Sequence, residues 1–243
     1  MQTTITEIAP DVFRLSTFVS DFDMQVNQFL VRDEEPLLWH TGLRAHFPLV
    51  RDAVATLIPI ERLHWIGFSH FEADECGSLA DWQRLAPHST ALASIIAKVV
   101  SVDDSAALRP ARGLSDDEIF TTGTYRFRFL QTPHVPHIWE AGMLFEETNA
   151  TLFCSDLFHH NGNVVPTTSS DVVDLFRQKL TQDQQGPFAF YLPWPTQTER
   201  ILRRLAALRP KTLAVMHGSS YVGDGAEAIE ALIPMLKDVV GGV

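Results

Sequence analysis

The 243-residue chain is 45% hydrophobic and 20% charged, the balance of an ordinary globular protein, and its length suits one large domain or two small ones. A net charge of −11 argues against the attraction to phosphate backbones that a nucleic-acid partner requires. Met1 to Pro10 lacks a basic end followed by an apolar stretch, and no run of about 18 apolar residues offers a membrane span, so no membrane association is expected and the cytoplasm is the default location. Cys76 and Cys154 lie far apart and form no CxxC, which predicts no disulfide framework.

Strand signals dominate the first forty residues. Val12 to Phe18 alternates, and Asn27 to Val31 and Leu37 to Trp39 flank the turn-like Asp33-Glu34-Glu35-Pro36, which predicts an antiparallel meander. Leu49, Val50, Val54 and Leu57 recur at helical spacing between Phe47 and Ile58, and Leu63 to Phe68 reads as a buried strand. A helix is expected over about 78–85, a short strand over 90–93, and an alternating strand over 125–130. Met143 to Cys154 reads as a hairpin turning at Asn149. Helices are predicted over about 171–181, 197–208 and 226–238, the middle one opened by the capping box Thr196-Gln-Thr-Glu199, with a strand over 212–216 before the last. Strands in two batches, separated and followed by helices, suit an α/β (α+β) fold of two mixed sheets packed face to face with helices outside. No linker, repeat, GxGxxG or GxxxxGK[ST] is visible, so a single domain over 1–243 with neither a dinucleotide fold nor a P-loop is the economical reading.

Chemistry concentrates at strand ends. His70, Glu72 and Asp74 follow the 63–68 strand at alternate positions, which in an extended segment project to one side. His134 and His137 follow the 125–130 strand, Asp156 follows the hairpin, and His217 follows the 212–216 strand. In layered α/β folds such strand ends gather in one place, so residues remote in sequence meet there. Mixed nitrogen and oxygen donors suit iron, manganese or zinc.

These residues resemble the metallo-β-lactamase-fold superfamily over nearly the whole chain. Asn27-x-Phe-Leu-Val and Trp39-His40-Thr41-Gly42 resemble its early strands, with His40 where an aspartate is usual, and Cys154-Ser155-Asp156 and Met216-His217-Gly218 match its later ligand positions. The resemblance implies a four-layer αββα sandwich. The generic superfamily motif is His-x-His-x-Asp-His, whereas Glu72 stands here in the second slot, as in flavodiiron proteins and stand-alone oxygen-binding diiron proteins. The spacings of 67, 19 and 61 residues along His70, His137, Asp156 and His217 are similar to those of flavodiiron ligands and favour His137 over His134. His134-Val135-Pro136 nevertheless resembles the superfamily's His-Thr-Pro, which keeps His134 as a substitute or outer partner.

The resemblance implies one metal held by His70, Glu72 and His137, a second by Asp74 and His217, and Asp156 bridging both. Glu75 stands where the family commonly has histidine; it either binds the second metal, leaves that metal more open, or is a solvated loop glutamate. Glu140 and Trp139 loosely match acidic and aromatic family positions, and His40, His159 and His160 are candidates to orient ligands. Two iron ions binding O2 or NO are the implied function, as a gas sensor or a slow reductase, with zinc or manganese as alternative metals. The chain ends at Val243, directly after the helix that closes the superfamily domain, so no FMN is expected on this chain and electrons would come from an external redox or signalling partner. Members with this module often pair head to tail, which makes a homodimer the associated expectation. The competing reading is a two-metal hydrolase of an ester, thioester or phosphodiester, against which stand the missing histidines at positions 72 and 75; a member that folds and binds a partner without metal is the third. The segments 161–168 and 182–195, the latter with Phe188, Phe190, Tyr191 and Trp194, are expected to line or cover the entrance.

Overall fold

The computed structural model describes residues 1–241. In the first sheet, β2 (Val12–Val19), β3 (Met24–Val31) and β4 (Leu37–Trp39) form the expected antiparallel meander, and β1 (Thr3–Ala9) extends it by pairing antiparallel with β2. To it β5 (Trp65–Gly67), β6 (Thr90–Ser94) and β7 (Arg112–Leu114) add in parallel. The second sheet contains β8 (Ile119–Thr121), β9 (Arg126–Gln131), β10 (Gly142–Glu146), β11 (Thr151–Phe153), β12 (Thr167–Thr168), β13 (Thr212–Ala214) and β14 (Ser220–Val222), in the order β12-β14-β13-β11-β10-β9-β8. Its β11–β13 and β12–β14 pairs are parallel and the rest antiparallel, so both sheets are mixed.

Alternation along the strands sorts side chains into layers. Phe29, Val31, Leu37 and Trp39 face inward and meet Phe127, Phe129, Leu144 and Phe153 of the second sheet, with the Phe29 and Phe153 rings edge to face at 5.5 Å. Leu30 and Leu38, one residue out of step, face the other way. They pack with Val50 and Val54 of α1 (Phe47–Ala55) and, beyond the short α2 (Ala73–Cys76), with Leu79 and Trp82 of α3 (Leu79–Leu85). Two further short turns, α4 (Ile95–Ala97) and α5 (Asp103–Ser105), complete this outer layer. On the opposite outer face Met143, Phe145, Leu152 and Leu213 are covered by α6 (Val172–Asp183), α7 (Thr198–Ala207) and α8 (Gly225–Val240). The result is the four-layer αββα sandwich. Strands buried on both faces explain why several runs are continuously apolar rather than alternating.

Some local expectations give way. The strand Thr3–Ala9 was not anticipated because it is an edge strand with mostly exposed side chains, which leaves little periodicity to read. The two- and three-residue strands β7, β8, β12 and β14 are likewise too short to carry a pattern. The capping box at Thr196 does not form: Gln197 occupies the cap without a side-chain bond, and the Glu199 carboxylate instead accepts from Arg203 and Lys237. The other two long helices are capped by aspartates. Asp171 accepts from Val173 N and Asp174 N, and Asp224 accepts from Glu227 N.

Gly67 in β5 lies hard against the inner layer. A Cβ there would stand 2.6 Å from the ring of Trp39, which is fully buried and has no room to retreat. Gly67→Ala is therefore expected to lower stability by about 1–3 kcal/mol, read as a fall in the urea midpoint with an unchanged slope.

Candidate metal centre

The donors converge on one end of the sandwich, beyond β5, β9, β11 and β13. His70 is fully buried three residues past β5, and its loop is tied to the second sheet by Gly142 N–H donating to Ser69 O at 2.8 Å. The Phe71 N–H donates to Glu140 Oε1 at 2.7 Å, so buried Glu140 braces the His70 loop while neighbouring Trp139 stays exposed. The 70–75 segment is not extended throughout. Glu72 has strand-like dihedrals, and the chain then turns into the helical residues Ala73–Cys76. Successive helical residues differ by about 100° rather than 180°, so Asp74 and Glu75 both reach the centre. Glu75 is fully buried, which overturns its reading as a solvated loop residue.

Two groups of donors result. His70, Glu72, His137 and Asp156 form one, and Asp74, Glu75 and His217 the other, each with its potential ligand atoms within 4.8 Å of one another. His70 Nε2 lies 3.1 Å from Glu72 Oε2, 3.7 Å from Glu75 and 3.6 Å from Asp156 Oδ2. Asp156 connects the groups: Oδ2 is 2.9 Å from His137 Nε2, and Oδ1 is 3.2 Å from His217 Nε2, which also lies 3.1 Å from Asp74. His134 belongs to neither group. It sits half-buried with φ 60°, its N–H bonded to Ile138 O in the turn that delivers His137.

Neighbouring side chains fix which ring nitrogens face the centre. His217 Nδ1 donates to Gln25 O at 2.9 Å, leaving Nε2 for the carboxylates. His70 Nδ1 lies 3.1 Å from Ser69 Oγ and 3.3 Å from Ser155 Oγ, and His40 Nε2 lies 3.1 Å from the same Ser69 Oγ. His40 therefore orients His70 through a serine, and burial lowers its pKa to about 3, keeping it neutral. His159 packs against His217 with the rings tilted at 42° and their centroids 4.6 Å apart. His160 turns away from the donors: Nδ1 donates to Phe158 O and Nε2 accepts from Ser219 N–H. Ser69, Ser155 and Gln25 were not singled out from sequence. The available signal was a serine directly before each of two donors, His70 and Asp156. The two expected entrance segments divide. In 182–195, the Tyr191 ring lies 4.4 Å from that of His137 while Phe188 and Phe190 are largely exposed; in 161–168, Asn163 and Val164 instead bind the side chain of Gln25.

Electrostatics tests whether these residues fit a cation. Both carboxylate oxygens of Glu75 and Oδ1 of Asp156 are buried without a hydrogen-bond partner, an arrangement that is costly unless positive charge sits among them. Burial and then the charges of Asp74 and Asp156 push Glu75 well above the usual carboxylate range. Burial opposes protonation of His217, but the adjoining carboxylates of Asp156 and Asp74 overcome it and raise the imidazole to about 10, while burial of Asp74 is outweighed by His217, which draws that carboxyl down to about 2. Four carboxylates beside three imidazoles balance the charge of two divalent ions, and the residues present fit such a pair.

The family model described as ODP family beta lactamase matches residues 24–218, a span containing every donor named above. The chain belongs to this ODP beta-lactamase family. Among solved structures, this ODP-family chain is similar to rubredoxin oxygen:oxidoreductase from the anaerobe Desulfovibrio gigas, with TM-score 0.80 at 17% identity over 95% of this chain and 61% of that one. It is also similar to the metal-soaked Flv1 flavodiiron core from Synechocystis sp. PCC6803, with TM-score 0.79 at 18% identity over 97% and 61% of the two chains. The flavodiiron protein from Giardia intestinalis gives TM-score 0.76 at 16% identity over 98% and 60%. The chain thus spans about three fifths of the length of these structures, and at such identities the likeness establishes a shared fold. No curated protein sequence matches. Among the described residues, no helix is long and apolar enough to cross a membrane.

Gly218, directly after His217, adopts φ +120°, and a Cβ there would stand 2.4 Å from the His160 ring. Gly218→Ala should cost about 1–3 kcal/mol of stability, measured as a lowered urea midpoint of the metal-free protein.

Proposed function

We propose that the chain is a non-haem diiron protein that binds O2 or NO and reduces it when electrons arrive from a separate donor. The observation that carries this reading is Asp156, buried between the two donor groups with one carboxylate oxygen turned to each. In the proposal His70, Glu72 and His137 hold one ion, Asp74, Glu75 and His217 hold the other, and Asp156 spans both. Oxygen donors at 72 and 75, in place of imidazoles, harden the site and favour iron or manganese over zinc. When bound, a pair of ferrous ions would supply reducing electrons to a diatomic ligand, and the separate donor would restore them.

The protein's own residues hold and shield that chemistry. Asp156 would hold both ions through its two carboxylate oxygens, and Glu72, the one substantially exposed donor at 47% side-chain exposure, marks the side open to solvent. Tyr191 covers His137. Burial, followed by the negative charge of Asp156 and Glu75, pushes its phenol well above its usual pKa, so the hydroxyl stays protonated. Hydrogen bonds to Ser69, Ser155 and Gln25 hold His70 and His217 in one orientation, so the donors need little rearrangement when ions bind. The fold shared with oxygen:oxidoreductase and flavodiiron structures supports the reading. Cytoplasmic placement belongs to it as well, since buried, unbonded Cys76 and Cys154 suit a reducing compartment.

Anaerobic loading with ferrous iron is expected to give two ions per chain and a visible spectrum that changes when O2 or NO is admitted. Asp156→Ala and His70→Ala should lose the pair, whereas Glu75→Ala should retain at least one ion, measured by metal analysis after desalting. Two retained ions in Asp156→Ala would refute the bridging role. Preferential zinc binding with esterase, thioesterase or phosphodiesterase turnover, and no spectral response to O2 or NO, would replace the diiron reading with a hydrolase.

A further inference from the structure

Arg14 is a buried cation without an anionic partner. It lies on β2, is 1% exposed, and among the described residues no carboxylate oxygen comes within 4 Å of its guanidinium. Burial draws its pKa down to about 10, which still leaves it charged at neutral pH. Leaving an unpaired guanidinium in the interior costs several kcal/mol, on the order of the penalty for burying any ion. Such a residue persists where its contacts are needed.

Its contacts lead to His217. One terminal nitrogen, Nη2, donates both to Gln25 Oε1 at 2.7 Å and to Gly218 O at 2.8 Å. Gln25 is the residue whose main-chain oxygen accepts the Nδ1 proton of His217, and Gly218 is the next residue in the chain. Asn27 Nδ2 donates to the same Gly218 oxygen at 2.9 Å and to Val215 O at 2.8 Å. From below, the His160 ring occupies the space a side chain at 218 would need, and the His160 N–H donates to His217 O. Along β2 and β3, Phe13, Leu15 and Leu30 face the outer layer, whereas Val12, Phe29 and Val31 face the second sheet. By the same alternation Arg14, Gln25 and Asn27 lie on the inward face. The interlayer core thus turns polar at this end, and the polar patch clamps the loop that carries His217.

The two donor groups depend on this clamp unequally. His217 is the sole imidazole among Asp74, Glu75 and His217, while the other group has two, His70 and His137. His70 is held by Ser69 and Ser155, neither of which touches Arg14. Resting on the dimetal reading above, we propose that Arg14 is a positioning residue that fixes His217 and so secures the ion at Asp74, Glu75 and His217 selectively, leaving the other ion independent of it.

The test is release of ferrous iron from the anaerobically loaded full chain to an excess of a ferrous chelator. Arg14→Met should release one of the two ions about 10- to 100-fold faster than the wild type, the usual effect of losing an outer hydrogen-bond partner, with the other ion at the wild-type rate. Arg14→Lys, which keeps a charge and a donor, should recover most of the loss. Gln25→Met removes the side chain that joins Arg14 to the loop yet keeps the main-chain acceptor, and should show the same selective release if Arg14→Met does not fold. In Arg14→Met combined with His217→Ala, the one remaining ion should leave at the rate of His217→Ala alone. Equal acceleration of both ions would mark Arg14 as general support and overturn the proposal, as would wild-type release of both ions from these variants. A wild type that never holds two ions would instead defeat the dimetal reading on which the proposal rests.

Discussion

Mutual repulsion among four carboxylates held within a few ångströms of one another is the constraint around which this end of the sandwich is organised. Glu75 and Asp156 are essentially removed from water, and three carboxylate oxygens between them have no hydrogen-bond partner. Without counter-charge, the cluster draws protons onto its histidines, as the raised pKa of His217 shows. The surrounding structure supplies almost no cationic side chain to relieve it. Arg14, the buried cation behind the centre, points at Gly218 and Gln25 rather than at a carboxylate. Positive charge placed among these carboxylates would relieve their repulsion.

The fold holds the repelling groups together by attaching them to rigid elements of both sheets. His70 and Asp74 follow β5 of the first sheet, and His137, Asp156 and His217 follow β9, β11 and β13 of the second. The Phe29–Phe153 contact and its neighbours lock the sheets face to face, so the loops cannot move apart without opening the aromatic core. Hydrogen bonds stitched across the layers, Gly142 N–H to Ser69 O and Asn27 N–H to Met216 O, carry that rigidity to the loops. Orientation of the rings is a separate matter, settled by Ser69, Ser155 and Gln25 at the centre's outer edge.

How much of this could be read from the chain alone depended on whether the information was local. The layers were legible because alternation along the β2 and β9 segments and the helical stripes of α7 and α8 are strong periodic signals. The donors stood out because four strand ends carried metal-type side chains. Glu75 was left open because its role depends on the helical turn that begins at Ala73; an extended reading of the same residues sends its side chain the wrong way. The Thr196–Glu199 box was locally plausible and failed because Arg203 and Lys237, the second of them on a different helix, compete for the glutamate. Arg14 and Gln25 carried no signal of their function, since nothing in their neighbourhood along the chain reveals that Gly218, some two hundred residues away, is what they hold.

The wide spread of the donors and their supports along the chain bears on how the molecule matures. A centre drawn from residues 70 to 217, with its buttress in the first thirty, is complete only where the two sheets are docked. A cation bound there as proposed would be coupled to completion of the tertiary structure and would stabilise that state by about 2.7 kcal/mol when free ion stands at a hundred times its dissociation constant. Under scarcity of such an ion, stability of the folded chain would fall together with occupancy of the centre.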